Sequence, residues 1–79
     1  MAIKVSVIGA SGRMGKLAVE LIDAAQDLEL HSVLDSKSEL DATLGADVVF
    51  EVTRFEASQS AVDFAIENQQ TIVVGTSGW

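Results

Sequence analysis

Three glycines, Gly9, Gly12 and Gly15, stand three residues apart in "VSVIGASGRMGKLAVELI" (5–22). Glycine reaches φ > 0 in a tight turn and lets backbone approach a pyrophosphate. The apolar run before this loop and the amphipathic run after it are what a phosphate-holding strand–turn–helix unit needs. A helix that starts here offers free N–H groups and the positive end of its dipole to an anion. Arg13 adds a cation at the mouth. The spacing is G-x-x-G-x-x-G rather than the common G-x-G-x-x-G, so a tight turn without ligand is the competing interpretation. Asp35, about twenty residues past Gly15, favours the ligand. A carboxylate there accepts hydrogen bonds from an adenosine ribose. It also repels a 2′-phosphate, which favours NAD, and Lys37 two residues on could offset that repulsion.

Other candidate chemistry is sparse. The chain has no cysteine and a single histidine, His31, in mid-strand, so no metal site and no catalytic role is assigned to it. Glu51 interrupts an apolar strand, and a buried carboxylate needs a partner. Glu51 is either a site residue near the switch point or, the favoured reading, a strand-end acid that finds Arg54 or Arg13. The acidic residues Glu56, Asp63 and Glu67 are expected on a solvated helix surface.

The elements that must carry these residues follow from apolar periodicity. "IKVSVIG" alternates as a strand. "RMGKLAVELIDAAQ" places Met14, Leu17, Ala18, Leu21, Ile22 and Ala25 on one face of a helix. "LELHSVLD" (28–35) is a second strand. In "SKSELDATLGA", Ser36 and Glu39 have capping-box spacing and Gly45 is placed to stop a short helix. "DVVFEVT" is a third strand. "TRFEASQSAVDFAIENQQ" opens with a Thr53–Glu56 capping box and places Ala61, Val62, Ala65 and Ile66 on one face. "TIVVG" is a fourth strand. Alternation of this kind predicts an α/β fold with a parallel sheet and right-handed crossovers. The preferred strand order is 2-1-3-4, with the first helix on one face and the later helices on the other. "VVF" and "IVV" are apolar on both faces, as strands covered from both sides should be. Residues 9–15 and 53–56 then meet at the switch point at the carboxyl ends of the strands.

The chain has 79 residues, enough for one domain, 1–79, with a thin core. Its net charge of −7 argues against a nucleic-acid partner and disfavours an anionic membrane. No apolar run is long enough to span a bilayer, and "MAIKVSVIG" lacks the features of a signal peptide. A cytoplasmic protein is expected.

"VIGASGRMG", "VLD", "VVFEVT" and "VVGTSGW" together resemble the N-terminal, Rossmann-like nucleotide-binding half of the dihydrodipicolinate reductases of lysine and diaminopimelate biosynthesis, of the actinobacterial type. The resemblance implies NADH or NADPH as cofactor. It implies that Gly9, Ala10, Ser11, Gly12, Arg13 and Met14 line the pyrophosphate and that Asp35 holds the adenosine ribose. Val52 and Thr53 would border the nicotinamide ribose, and Gly75, Thr76 and Ser77 would approach the nicotinamide. This chain departs from the family pattern with Glu51 for Asp, Val52 for Phe, Phe55 for Pro and Ser77 for Thr. The family's catalytic segment lies beyond residue 79, so no catalytic residue is assigned here. The chain is expected to be a truncated domain that binds cofactor weakly or not at all, does not turn over, and self-associates through faces that truncation exposes. Trp79 could cover some of that core. Two other readings stand beside this one: a regulatory nucleotide-binding module without chemistry, and an engineered mini-domain that binds nothing.

Overall fold

The computed structural model describes residues 2–35 and 38–76. The elements run β1 (Ile3–Ile8), α1 (Arg13–Ala24), β2 (Leu28–Leu34), a 3₁₀ turn (Leu40–Thr43), β3 (Val48–Glu51), α2 (Phe55–Glu67) and β4 (Thr71–Val74). All strand pairs are parallel and the sheet order is β2-β1-β3-β4. The order predicted from the alternating pattern is therefore the observed one.

The sheet divides two small cores. Val5, Val7 and Ile22 pack on the α1 side with Ala18, Val19 and Phe50 against them. Ile8, Leu34, Val49 and Ala61 pack on the α2 side, where Leu40 of the 3₁₀ turn joins them. The two faces are thus covered as expected. The strands differ in their cover. β3 has Val49 buried toward α2 and Phe50 packed toward α1, whereas edge strand β4 leaves Val73 50% exposed. The expectation that "IVV" is covered on both sides does not hold: Ile72 packs on the α2-side core, but Val73, on the α1 side beside Phe50, is half exposed.

Each helix buries part of its expected face, with Ala18, Ile22 and Ala25 at α1 and Ala61, Val62 and Ala65 of α2 buried or half-buried, and is rotated from the rest. α1 buries Gly15 and Ile22 with Ala18 and Val19 half-buried between them, while Met14, Leu17 and Leu21 are exposed. Gly15 sets this rotation, since its bare Cα lets the helix touch the glycine loop. α2 buries Ser58, Ala61 and Ala65 and leaves Ile66 in solvent.

Two predicted caps are absent. Arg54, not Thr53, is the N-cap of α2, and it makes no side-chain cap hydrogen bond. The Thr53 hydroxyl is engaged by Glu51 instead. The short helix expected within "SKSELDATLGA" is one 3₁₀ turn with Glu39 at its N-cap, and Ser36 lies outside the described residues. Gly45 does end this segment, with φ +97. The β1–β2 register slips between Val5 and Ser6, leaving His31 as the extra residue of a bulge. His31 is exposed, as expected of a sheet-face residue, and its Nε2 lies 2.8 Å from the Leu44 carbonyl.

Candidate functional site

The glycine loop joins the end of β1 to α1. Gly9 has φ +93, and a Cβ there would stand 2.1 Å from the Val52 carbonyl oxygen. A Cβ on Gly15 would stand 2.0 Å from the Gly9 carbonyl oxygen. These two glycines are therefore demanded by the fold itself. Gly12 is different. It has no positive φ, and its Cβ would meet only the Gly9 oxygen at 3.6 Å, an ordinary contact. Nothing in the packing requires a glycine there, but it lies on the wall of an open cleft.

The loop's backbone bonds show what it can still donate. Gly9 and Ala10 both donate N–H to the Leu34 carbonyl, at 2.9 and 3.0 Å. Gly12 donates to the Gly9 carbonyl at 3.1 Å, and Lys16 donates to the Gly12 carbonyl at 2.9 Å. Among the described residues, the N–H groups of Ser11, Arg13, Met14 and Gly15 have no backbone acceptor. They cluster at the positive end of α1, an arrangement suited to an anion.

The cleft encloses about 610 Å³ at the carboxyl ends of β2, β1 and β3. Of the residues predicted for a site, Gly9, Ser11, Gly12, Asp35, Val52 and Thr53 line it. Ala10 is packed into the α1-side core, and Arg13 and Met14 are exposed beside the cleft rather than on its wall. Gly75 and Thr76 lie outside the wall too, one strand further along the sheet. Gly75 extends the β4 ladder by donating N–H to the Glu51 carbonyl at 2.8 Å. Ser77, Lys37 and Trp79 lie outside the described residues. Sequence reasoning missed Ser38, Leu40, Ala57 and Ser60, which close the side of the cleft toward α2. Their signal is weak, since a serine in a loop, a leucine in a short turn and small residues on the first turns of a helix have no spacing that marks a ligand.

Asp35 sits at the exposed end of β2. Its N–H donates to the Ser38 hydroxyl at 3.1 Å, and that hydroxyl donates to Asp35 Oδ1 at 3.2 Å. This turn orders the carboxylate at the β2 side of the cleft. Thr53 stands across the switch point, just after β3.

Glu51 finds neither arginine. It is fully buried, and its carboxylate collects hydroxyl and amide donors instead. Ser58 Oγ donates to Oε1 at 2.5 Å. Oε2 accepts from Thr53 N–H at 2.9 Å, from Thr76 Oγ1 at 2.8 Å and from Thr53 Oγ1. The physical reason is direction. Side chains alternate along a strand, so Glu51 faces the α2 side with Val49. Ser58 comes to it from the buried face of α2, whereas Arg54 is exposed. The signal that could have found this was a serine on the same helical face as Ala61 and Ala65. No buried side-chain nitrogen or oxygen among the described residues lacks a partner.

Among the described residues, no group of three or more His, Asp or Glu side chains is placed to hold a metal ion. No helix among them is long and apolar enough to cross a membrane. The site is thus an anion-ready loop flanked by a carboxylate on one side and a hydroxyl cluster on the other.

Known proteins match the chain along nearly its whole length. A family model described as "Dihydrodipicolinate reductase, N-terminus" matches residues 3–79. A 4-hydroxy-tetrahydrodipicolinate reductase of Clavibacter sepedonicus is 44% identical over 79 residues, covering 100% of this chain and 28% of that protein. The proteins of the same name from Bifidobacterium longum subsp. infantis and Cutibacterium acnes are 43% and 38% identical, over 98% of this chain and 32% and 31% of theirs. The chain spans about a third or less of the length of these relatives. The chain belongs to the dihydrodipicolinate reductase family and corresponds to its N-terminal part.

Proposed function

We propose that this chain is the NAD(P)H-binding portion of a 4-hydroxy-tetrahydrodipicolinate reductase, an oxidoreductase of lysine and diaminopimelate biosynthesis acting in the cytoplasm. One observation carries the proposal. The glycine loop contributes Gly9, Gly12 and Ser11, whose N–H has no backbone acceptor, to a cleft whose other walls include Asp35 and Thr53. That is the order in which a dinucleotide lies across a switch point: ribose on the acid, pyrophosphate on the helix N-terminus, second nucleotide beyond. The open side of Gly12 fits this use, since a methyl group there would fill the space that a phosphate needs.

In the whole enzyme the bound pyridine nucleotide supplies a hydride to a cyclic unsaturated dicarboxylate. The residues of this chain bind and orient. The backbone N–H groups of Ser11, Arg13, Met14 and Gly15, which have no backbone acceptor, supply the donors for the pyrophosphate charge. Asp35 accepts ribose hydroxyls and disfavours a 2′-phosphate, so NADH is preferred over NADPH. The chain alone does not turn over.

An amide-resolved NMR titration with NADH and NADPH tests this. Shifts confined to residues 9–15, 35, 53, 75 and 76 are expected, larger for NADH at equal concentration. Amides unmoved at millimolar nucleotide would overturn the reading, and reductase turnover by the isolated chain would overturn its second half.

A further inference from the structure

Glu51 is the only acidic or basic side chain among the described residues that is fully buried. A buried charge is expensive, and an apolar residue of similar volume is often as stabilising or more so. Stability alone therefore does not account for a carboxylate here, and its contacts point to geometry. Thr53 and Thr76 follow the ends of neighbouring strands β3 and β4, and both hydroxyls donate to Oε2. Thr53 N–H, within hydrogen-bond reach of Oε2, is also 2.7 Å from Thr76 Oγ1, so the two threonines are tied to each other as well. Ser58 fixes the other oxygen from the first turns of α2. An ionised carboxylate accepts at both oxygens and can satisfy all of these donors at once.

The place of this cluster along the sheet gives its use. Asp35 ends β2, at the opposite edge from β4, about 14 Å away by three interstrand spacings. Resting on the dinucleotide reading above, we propose that Glu51 is a positioning residue. Its buried carboxylate aligns Thr53, on the cleft wall, with Thr76 beyond it, as the surface that receives the nicotinamide ring of the cofactor. The adenosine half is held independently by the glycine loop and Asp35.

The test compares NADH with ADP-ribose, which lacks only the nicotinamide ring system, on the full chain and on Glu51→Gln, which keeps the volume. The expected result is a roughly tenfold loss of NADH affinity with ADP-ribose affinity unchanged. Thr76→Val, which removes one donor and keeps the shape, gives the same split and serves if Glu51→Gln does not fold. A merely structural role would weaken both ligands together, and that outcome, or no change in either, overturns the proposal. Unmutated chain that binds ADP-ribose and NADH equally overturns it while leaving the nucleotide site standing. Unmutated chain that binds neither overturns the dinucleotide reading and this proposal with it.

Discussion

Replacing Gly15 with alanine and replacing Gly12 with alanine are the same chemical change three residues apart, and the structure separates them sharply. At Gly15 the new methyl carbon would stand 2.0 Å from the Gly9 oxygen and 2.7 Å from Ala10 Cα. Both obstacles are backbone, so α1 must move away from the loop by more than ~1 Å to restore ordinary contact. Overpacking of this kind costs about 3 kcal/mol, and the better helix propensity of alanine returns about 1 kcal/mol. The net loss of about 2 kcal/mol is a large share of the roughly 4–12 kcal/mol expected for a domain of this length. It corresponds to a fall in Tm of about 8–16 °C. At Gly12 the nearest atom is 3.6 Å away and φ is −80, so the methyl strains nothing. A small N-cap penalty is offset by the lower entropy of the unfolded chain, and Tm should move by less than about 4 °C. The same methyl projects into the cleft and should reduce nucleotide affinity at least tenfold. Thermal unfolding followed by circular dichroism, beside an NADH titration, reads both effects. If Gly12→Ala melts as early as Gly15→Ala, or if Gly15→Ala melts within about 3 °C of the parent, the assignment of one glycine to packing and the other to ligand is wrong.

Three further outcomes follow from the same structure. Asp35→Asn should shift the preference between NADPH and NADH toward NADPH by about tenfold, because one like charge near the 2′-phosphate is removed. Competitive titration reads this, and an equal change for both nucleotides would speak against it. Ser58→Ala should destabilise by about 1–3 kcal/mol in urea unfolding, since it withdraws a donor from the buried Glu51 carboxylate. Ser60→Ala, on the exposed face of α2, should change stability by less than about 0.5 kcal/mol, and parity between the two would refute the distinction. The exposed edge of β4, with Val73 and Val74 in solvent, should pair with a second copy at high concentration. Light scattering should show that association and its reduction by Val73→Lys, and a concentration-independent monomer would exclude it.

The strand order was legible because each strand is a short apolar run and each intervening segment is long enough for a crossover. Only a few parallel topologies survive that pattern. The glycine loop and Asp35 were legible for a related reason: their roles depend on local spacing. What sequence reasoning missed depends on which way a side chain faces once neighbours exist. The stripe Met14–Leu17–Leu21 is as apolar as the one α1 buries. The face that α1 buries is the one carrying Gly15, where the missing Cβ lets the helix meet the Gly9 carbonyl. Thr53 and Glu56 match a capping box, but a buried acid two residues earlier competes for the same hydroxyl and wins. Glu51 was expected beside an arginine because Arg54 is near in sequence. Its partners Ser58 and Thr76 lie 7 and 25 residues away and meet it only through packing.

The Glu51 cluster also bears on the order in which the molecule is assembled. Its groups come from three consecutive elements, and the last of them arrives with β4. Long-range strand pairing is slow because loop closure precedes any gain. The glycine loop can form with β1, α1 and β2 alone, but the Glu51 cluster behind Thr53 is complete only after β4 brings Thr76. Amide exchange should therefore divide the cleft. The Thr53 N–H, held by Glu51 and Thr76, should exchange through the opening that releases β4, and the Gly9 and Ala10 N–H groups, bonded to Leu34, through a separate and rarer one.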